Sequence, residues 1–499
     1  MLKFFKKIFT NDKHYPALYA IGAGLYPIFF YYSNNFTLVN TLMHLGYFII
    51  MFLVVPIVLF VVINWCSKLP VLIKWRKYIL PFSNIFLFLF LLKVCLYGDF
   101  QKKISLTILI LSFVIAYFLH KEIKKIVVIQ LLLAIIGMFT LVSTVINQNS
   151  KSKEWMVQPD NIAQVVFKKK PNVYYIQPDG YVNFSELNKG LYNIDNVKFE
   201  EFLKTNNFKY YNNFRSNYAF TLSSNSSSLM MKHHYYKNVD EYREVLFDRD
   251  IVISKNTVLD VFKNNNYKTH FLTEMPYLLL SKPEMGFDAC NINYDDISYI
   301  GRGFGEIKDI LQPLTKYMEV EIEKPKFFFI QILAPGHITG QKAGSKGVEW
   351  EKSIWKKNLK RSNEMLTKTV AKIIKQDPEA LIIITADHGG YVGMEYTLDA
   401  YTKTQDRDKI YSMFSSTLAI HWPNLDAPDY DSTLKTSVNL FRVVFSFLSQ
   451  DNSYLSNLQS NSSYVILRKG VSKGVYEYID ENGNIILKKY QSKLSLDAN

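Results

Sequence analysis

In the stretch LIIITADHGGY, residues 381–391, four apolar residues run through Thr385 and Ala386 into Asp387-His388-Gly389-Gly390. An anionic oxygen and an imidazole thus stand side by side where a buried strand ends, on a turn that two glycines make flexible. Open α/β sheets take their ligands at the carboxyl ends of strands. Asp and His together suit Zn²⁺ or Mn²⁺. The plainer reading of the same stretch is a strand and turn in which Asp387 caps the next segment. Two other strand ends carry candidate ligands: Asp179 after NVYYIQP, and His337 after FFFIQILAPG. Between them lies Thr221, where a loop (NYAFTLSSN) passes into a helix. A helix start offers free N–H groups and the positive end of a dipole, which suits an attacking oxygen and a developing oxyanion. A threonine hydroxyl is a poor nucleophile at neutral pH, and metal coordination would activate it. As plain structure Thr221 is a helix N-cap, a role that Ser223 or Ser224 could also fill. His337 is then a surface-loop histidine, and His233-His234 merely flank the helix.

These residues need a scaffold, and the pattern around them supplies one. From Pro171 onward, strand-like runs (Asn172–Gln177, Thr269–Thr273, Lys326–Leu333, Leu381–Thr385, Thr417–Trp422) alternate with helical ones (Phe199–Asn206, Ser254–Asn265, Trp350–Gln376, Ser432–Leu448). Such alternation predicts a mainly parallel sheet covered on both faces. The catalytic part is expected over 171–450. A C-terminal extension, 451–499, carries a hairpin over Gly474–Lys489 around Glu481-Asn482-Gly483. A polar linker, 147–170, precedes the α/β part.

Residues 1–146 read differently. Five apolar runs, about Tyr15–Tyr32, Leu45–Ile63, Tyr78–Tyr97, Ile104–Leu119 and Ile126–Ile146, are mostly near the ~20 residues that cross a bilayer. No small-residue cleavage site follows a short apolar core, so the basic start (Lys3, Lys6, Lys7, Lys13) is not read as a removable signal peptide. The basic loops alternate: the start, Trp65–Lys77 and His120–Lys125 are rich in lysine and arginine, whereas Ser33–Asn40 has no charge. The positive-inside rule then puts the N-terminus in the cytoplasm and, after five crossings, everything beyond Ile146 outside it. The formal charge of +14 does not imply a nucleic-acid surface. Residues 1–150 hold 14 Lys+Arg against 3 Asp+Glu, and the remainder is nearly balanced at 44 against 41. Of the three cysteines, only Cys290 lies in the α/β part, so no disulfide can form within it.

The pieces PNVYYIQPDGY, FTLSSNSSSLMM, APGH and ITADHGG, in that order and spacing, resemble the alkaline phosphatase superfamily. They are most similar to its membrane-bound, sulfatase-like branch, which holds the sulfatases, lipoteichoic acid synthases and phosphoethanolamine transferases. The resemblance covers roughly residues 171–447 and extends to five N-terminal helices. It implies an α/β/α sandwich of the alkaline phosphatase/sulfatase type and a divalent metal, Zn²⁺ or Mn²⁺. Its ligands would be Asp179, Asp387, His388 and the oxygen of Thr221, with Thr221 as nucleophile. It gives His337 the task of contacting substrate or protonating the leaving group. Sulfatases place Cys or Ser in a C/S-x-P-x-R context, and Thr221-Leu222-Ser223-Ser224-Asn225 has neither Pro nor Arg. That favours the transferases, although Asp179 stands where those often have Glu. The implied activity is transfer of a phospho-alcohol, phosphoethanolamine or phosphoglycerol, from a membrane lipid to a surface glycan or lipid by an inner-membrane protein of bacterial type. The rivals are a sulfatase or phosphodiesterase, and a catalytically silent membrane protein of the same fold.

Overall fold

The computed structural model describes residues 13–98, 101–149, 153–238, 248–301, 303, 305–320 and 323–491. The basic stretch with Lys3, Lys6 and Lys7 lies outside them. The chain divides into two compact units. One takes in the N-terminal part up to Lys151 with Leu280–Lys282 and Ile297–Phe304, and the other takes in the rest.

The first unit is helical: α1 (Pro16–Asn35), α2 (Leu42–Cys66, with a π turn at Ile50–Val54), α3 (Arg76–Tyr97), α4 (Lys102–Leu119) and α5 (Ile123–Asn149). Its polarity is inverted relative to a water-soluble bundle. Val58, Leu59, Ile110, Ile136 and Phe139 are exposed, while Asn84 and Gln130 are buried. Asn84 and Gln130 exchange amide hydrogen bonds of 3.0 Å, and Asn84 Nδ2 also donates to the Tyr19 carbonyl at 2.7 Å. An apolar exterior over satisfied interior amides is what a hydrocarbon solvent selects. Among the described residues, three stretches are long and apolar enough to cross a membrane: Leu42–Cys66, Arg76–Tyr97 and Lys102–Asn147. The five runs of the sequence therefore do not reappear as five such helices. Helix α1 carries Pro16, Pro27, four tyrosines and Asn34-Asn35, which lower its hydropathy. The last two runs join through a single 3-10 turn at His120–Glu122.

The second unit follows the alternation in the sequence. In chain order its main elements are β1 (Val173–Pro178), α6 (Val197–Thr205), β2 (Lys209–Tyr210), α7 (Thr221–Met230), α8 (Thr257–Asn264), β3 (Lys268–Thr273) and β4 (Ala289–Cys290). Then come β5 (Lys326–Ile332), α9 (Val348–Gln376), β6 (Leu381–Thr385), β7 (Leu418–His421) and α10 (Leu440–Ser449). Seven strands form a mixed sheet in the order β2-β7-β6-β1-β5-β3-β4. The five from β6 to β4 are parallel, and β7 runs antiparallel to both β6 and β2. Side chains alternate faces along a strand. Tyr174, Ile176, Phe328, Ile330, Ile382 and Ile384 share a core with Trp355, Leu359 and Val370 of α9. On the other face Tyr175 packs on Phe441 of α10, and Phe327 stacks on Phe262 of α8 at 4.1 Å. The sheet is therefore the middle of three layers. A separate antiparallel sheet holds β8 (Ser463–Leu467), β9 (Gly474–Ile479) and β10 (Ile485–Lys489).

One helix is shorter than its pattern. The sequence predicts Ser432–Leu448, but α10 begins at Leu440. The preceding chain makes two separate 3-10 turns, Asp431–Thr433 and Ser437–Asn439, because the extended Thr436 between them bridges to Arg215, whose carbonyl accepts from the Ser437 N–H at 3.2 Å.

Candidate active site

The three strand ends singled out by sequence belong to adjacent parallel strands. Asp387 and His388 follow β6, Asp179 follows β1, and His337 follows β5. Asp179, Asp387 and His388 each present one ligand atom, and these atoms lie within 4.8 Å of one another. Backbone geometry makes this convergence possible. Gly180 has φ +65°, and a Cβ there would lie 2.2 Å from the Gly336 carbonyl oxygen, so only glycine lets the turn after β1 meet the turn after β5. Gly389 and Gly390 serve a different purpose from the flexibility expected of them. They sit in ordinary backbone regions, but a Cβ would lie 2.3 Å from the Ser412 carbonyl oxygen and 2.2 Å from the Trp355 indole nitrogen respectively. These glycines let the turn pack closely.

Hydrogen bonding divides Asp387 and His388 each into an anchored side and a free side. Asp387 Oδ1 accepts from the N–H groups of Gly180 (3.2 Å) and His388 (3.1 Å), while Asp387 Oδ2 and Asp179 Oδ1 are buried without a hydrogen-bond partner. His388 Nδ1 lies 2.8 Å from the Gly389 carbonyl. A carbonyl only accepts, so Nδ1 carries the hydrogen, and in the neutral ring Nε2 presents its lone pair. That lone pair faces Asp387 Oδ2 at 3.4 Å and Asp179 Oδ1 at 3.6 Å. Two orphaned carboxylate oxygens and an imidazole lone pair converging in a buried space repel one another unless a cation lies between them. The donor set thus fits a divalent ion with oxygen and nitrogen ligands. The same crowding shows in protonation: burial, and then the neighbouring Asp387, push the Asp179 carboxyl up to about 7.

Thr221 is the first residue of α7 and its side chain caps nothing. Its Oγ1 lies 3.1 Å from His388 Nε2, which places the hydroxyl at the edge of the cluster with the helix start behind it. The two serines that might have replaced it are engaged elsewhere. Ser223 Oγ donates to the Phe220 carbonyl at 2.9 Å, and Ser224 Oγ to the Asp387 carbonyl at 2.6 Å. His337 stands at the rim. Its Nδ1 lies 2.6 Å from the Ile338 carbonyl, so Nε2 is again the free nitrogen, and its ring centre is 6.1 Å from that of His388. Although the residue reaches solvent, the protein atoms around the ring desolvate it. That desolvation lowers its pKa and favours the neutral ring. His233 and His234 lie outside the cluster. His234 Nε2 donates to the Ser223 carbonyl at 2.8 Å, holding the first turn of α7.

Sequence reading missed the supports. Every residue of α7, TLSSNSSSLM, is buried, and the signal was present in its composition: a helix this polar is not buried for hydrophobic reasons. Tyr391 Oη donates to the carbonyl of Ala219, two residues before Thr221, and Trp355 Nε1 donates to the Gly336 carbonyl at 2.9 Å.

No protein-family model matches the chain, and no curated protein matches it. Solved structures do. The chain is similar to the integral membrane protein lipooligosaccharide phosphoethanolamine transferase A (EptA) from Neisseria meningitidis, at 13% identity and TM-score 0.42, over 87% of this chain and 95% of that one. It is similar to the C-terminal periplasmic domain of EcEptC from Escherichia coli in complex with Zn, at 13% identity and TM-score 0.40, over 63% and 93%. It is also similar to the lipoteichoic acid synthase LtaP from Listeria monocytogenes, at 12% identity and TM-score 0.40, over 67% and 92%.

Proposed function

We propose that this chain is a membrane-bound, metal-dependent transferase that moves a phospho-alcohol from a lipid donor to a surface glycan or lipid. The observation that carries the reading is the Thr221 hydroxyl, 3.1 Å from His388 Nε2 beside two carboxylate oxygens that lack partners. Asp179, Asp387, His388 and the Thr221 oxygen would hold a divalent ion, Zn²⁺ or Mn²⁺. Such an ion lowers the pKa of a hydroxyl and offsets charge on a phosphoryl group. The remaining work falls to the protein. The start of α7 directs N–H groups and a dipole at the attacked phosphorus. The Thr221 oxygen forms the new P–O bond while the lipid alkoxide leaves. The neutral His337, with its free Nε2, takes up the hydroxyl proton and returns it to the departing oxygen. The acceptor hydroxyl then displaces phospho-threonine by the same two steps in reverse order, so no proton is gained or lost overall. In this reading the N-terminal unit crosses the membrane five times with its N-terminus inside, leaving the α/β unit outside within reach of outer-leaflet lipid.

The test is chemical trapping. Purified full-length protein, loaded with zinc and mixed with phosphatidylethanolamine or phosphatidylglycerol vesicles but no acceptor, should gain one phospho-alcohol on the peptide containing Thr221. The adduct should be absent in Thr221→Ala, which should lose turnover by roughly a thousandfold or more, and Thr221→Ser should retain part of it. Full activity in Thr221→Ala with product forming in water alone would instead mark a hydrolase.

A further inference from the structure

The proposed nucleophile and the proposed ligand Asp179 come from different elements, α7 and the end of β1. A side-chain amide pair joins those elements just behind the site. Gln177 lies two residues before Asp179, and Asn225 lies one helical turn after Thr221, on the same helix face. Their carboxamides pair reciprocally. Asn225 Nδ2 donates to Gln177 Oε1 at 2.9 Å, and Gln177 Nε2 donates to Asn225 Oδ1 at 2.7 Å. Both side chains are buried, each at 1% exposure, and Gln177 Nε2 also reaches the Tyr175 hydroxyl at 3.1 Å. The Ser224–Asp387 bond fixes the same helical turn to the end of β6.

Cohesion alone does not account for such a pair. Two apolar side chains would fill the same space without the cost of desolvating two amides. A reciprocal amide pair provides direction: two parallel hydrogen bonds tolerate only a few tenths of an ångström before weakening. We infer that Gln177 and Asn225 are positioning residues that set the separation of the Thr221 oxygen from the Asp179 carboxylate. Neither touches the site, and each acts through a neighbour that does. The inference rests on the proposed role of Thr221.

The experiment uses full-length protein, zinc titration, and turnover of phosphatidylethanolamine vesicles. Asn225→Leu and Gln177→Met each keep the volume and remove half of the pair. Each should lower kcat by about a hundredfold with KM unchanged, as expected for misplacement on the order of an ångström. Each should also weaken zinc binding by about tenfold. The double variant should be no worse than either single one. The swapped pair, Gln177→Asn with Asn225→Gln, restores both hydrogen bonds and should recover much of kcat. Introduced into Thr221→Ala, Asn225→Leu should weaken zinc binding no further. Because the two single variants alter opposite sides of the contact, either one suffices if the other fails to fold. Zinc affinity separates the two claims. Full turnover in Thr221→Ala alongside weakened zinc binding in Asn225→Leu would remove the nucleophile and leave the clamp. Wild-type kcat and zinc affinity in a folded Asn225→Leu or Gln177→Met would overturn the clamp, whatever Thr221 does.

Discussion

Asp179 gives the site a pH signature that is readable without turnover. Its carboxyl is raised from 3.8 to about 7 by burial and by Asp387. In metal-free protein the folded state therefore prefers the protonated acid. The sign follows from linkage: a raised folded pKa contributes stability below the unfolded value, and that contribution is lost as pH rises through the folded value. Metal-free protein should lose stability between about pH 4 and pH 7, by an amount on the order of a few kcal/mol. Thermal unfolding of wild type and Asp179→Asn across that range checks it. The wild-type curve should fall relative to that of the variant, and added zinc should restore it at pH 7.5. Parallel curves would show that Asp179 is not strained. The Asp387-His388 pair was legible in the sequence because two ligand types sit together after an apolar run. Gln177, Ser224 and Asn225 were not, because a polar residue carries no mark of its burial until its partner is known, and these partners lie 48 and 163 residues away.

At the scale of elements, the long strands were legible to within a residue or two. Val173–Pro178, Lys326–Ile332 and Leu381–Thr385 are mostly apolar runs, interrupted by Gln177 in the first and by Lys326 and Gln331 in the second. The two-residue strands β2 and β4 have too little sequence to show a period. Strand β8 (SYVIL) is apolar enough to be legible, but the sequence pattern marks only the hairpin that it extends. The helices of the first unit pose a sharper question, because five runs and three qualifying stretches imply different topologies. If α1 crosses, the loop with Lys68, Lys74, Arg76 and Lys77 faces the cytoplasm. If α2 is the first to cross, that loop faces outward. A cysteine replacing Lys74 in an otherwise cysteine-free chain should be protected from a membrane-impermeant maleimide in intact cells, whereas one replacing Glu154 should be labelled. Labelling at both positions would select three crossings, and protection at 154 would reverse the orientation.

At the scale of the whole molecule, the candidate site draws on widely separated parts of the chain. Gly180 and Asp387 are 207 residues apart, and Thr221 and His388 are 167 apart, yet they meet within hydrogen-bonding distance. The central strand β1 finds its neighbours β5 and β6 only after most of the unit has been made. Parallel pairing at such separations is slow, because loop closure is costly before any contact repays it. A nascent or half-folded chain therefore carries Asp179 as a lone carboxylate with no appreciable hold on an ion. On the proposed metal role, capture would become possible only when the last parallel neighbour has docked, and it would then add about 2.7 kcal/mol at a free ion concentration a hundred times Kd. In refolding, zinc uptake should lag behind the recovery of tertiary circular dichroism, and uptake that precedes it would contradict this order. On the proposed metal role, loading would thus act as quality control in time: the ion would be retained only by molecules that have already finished folding.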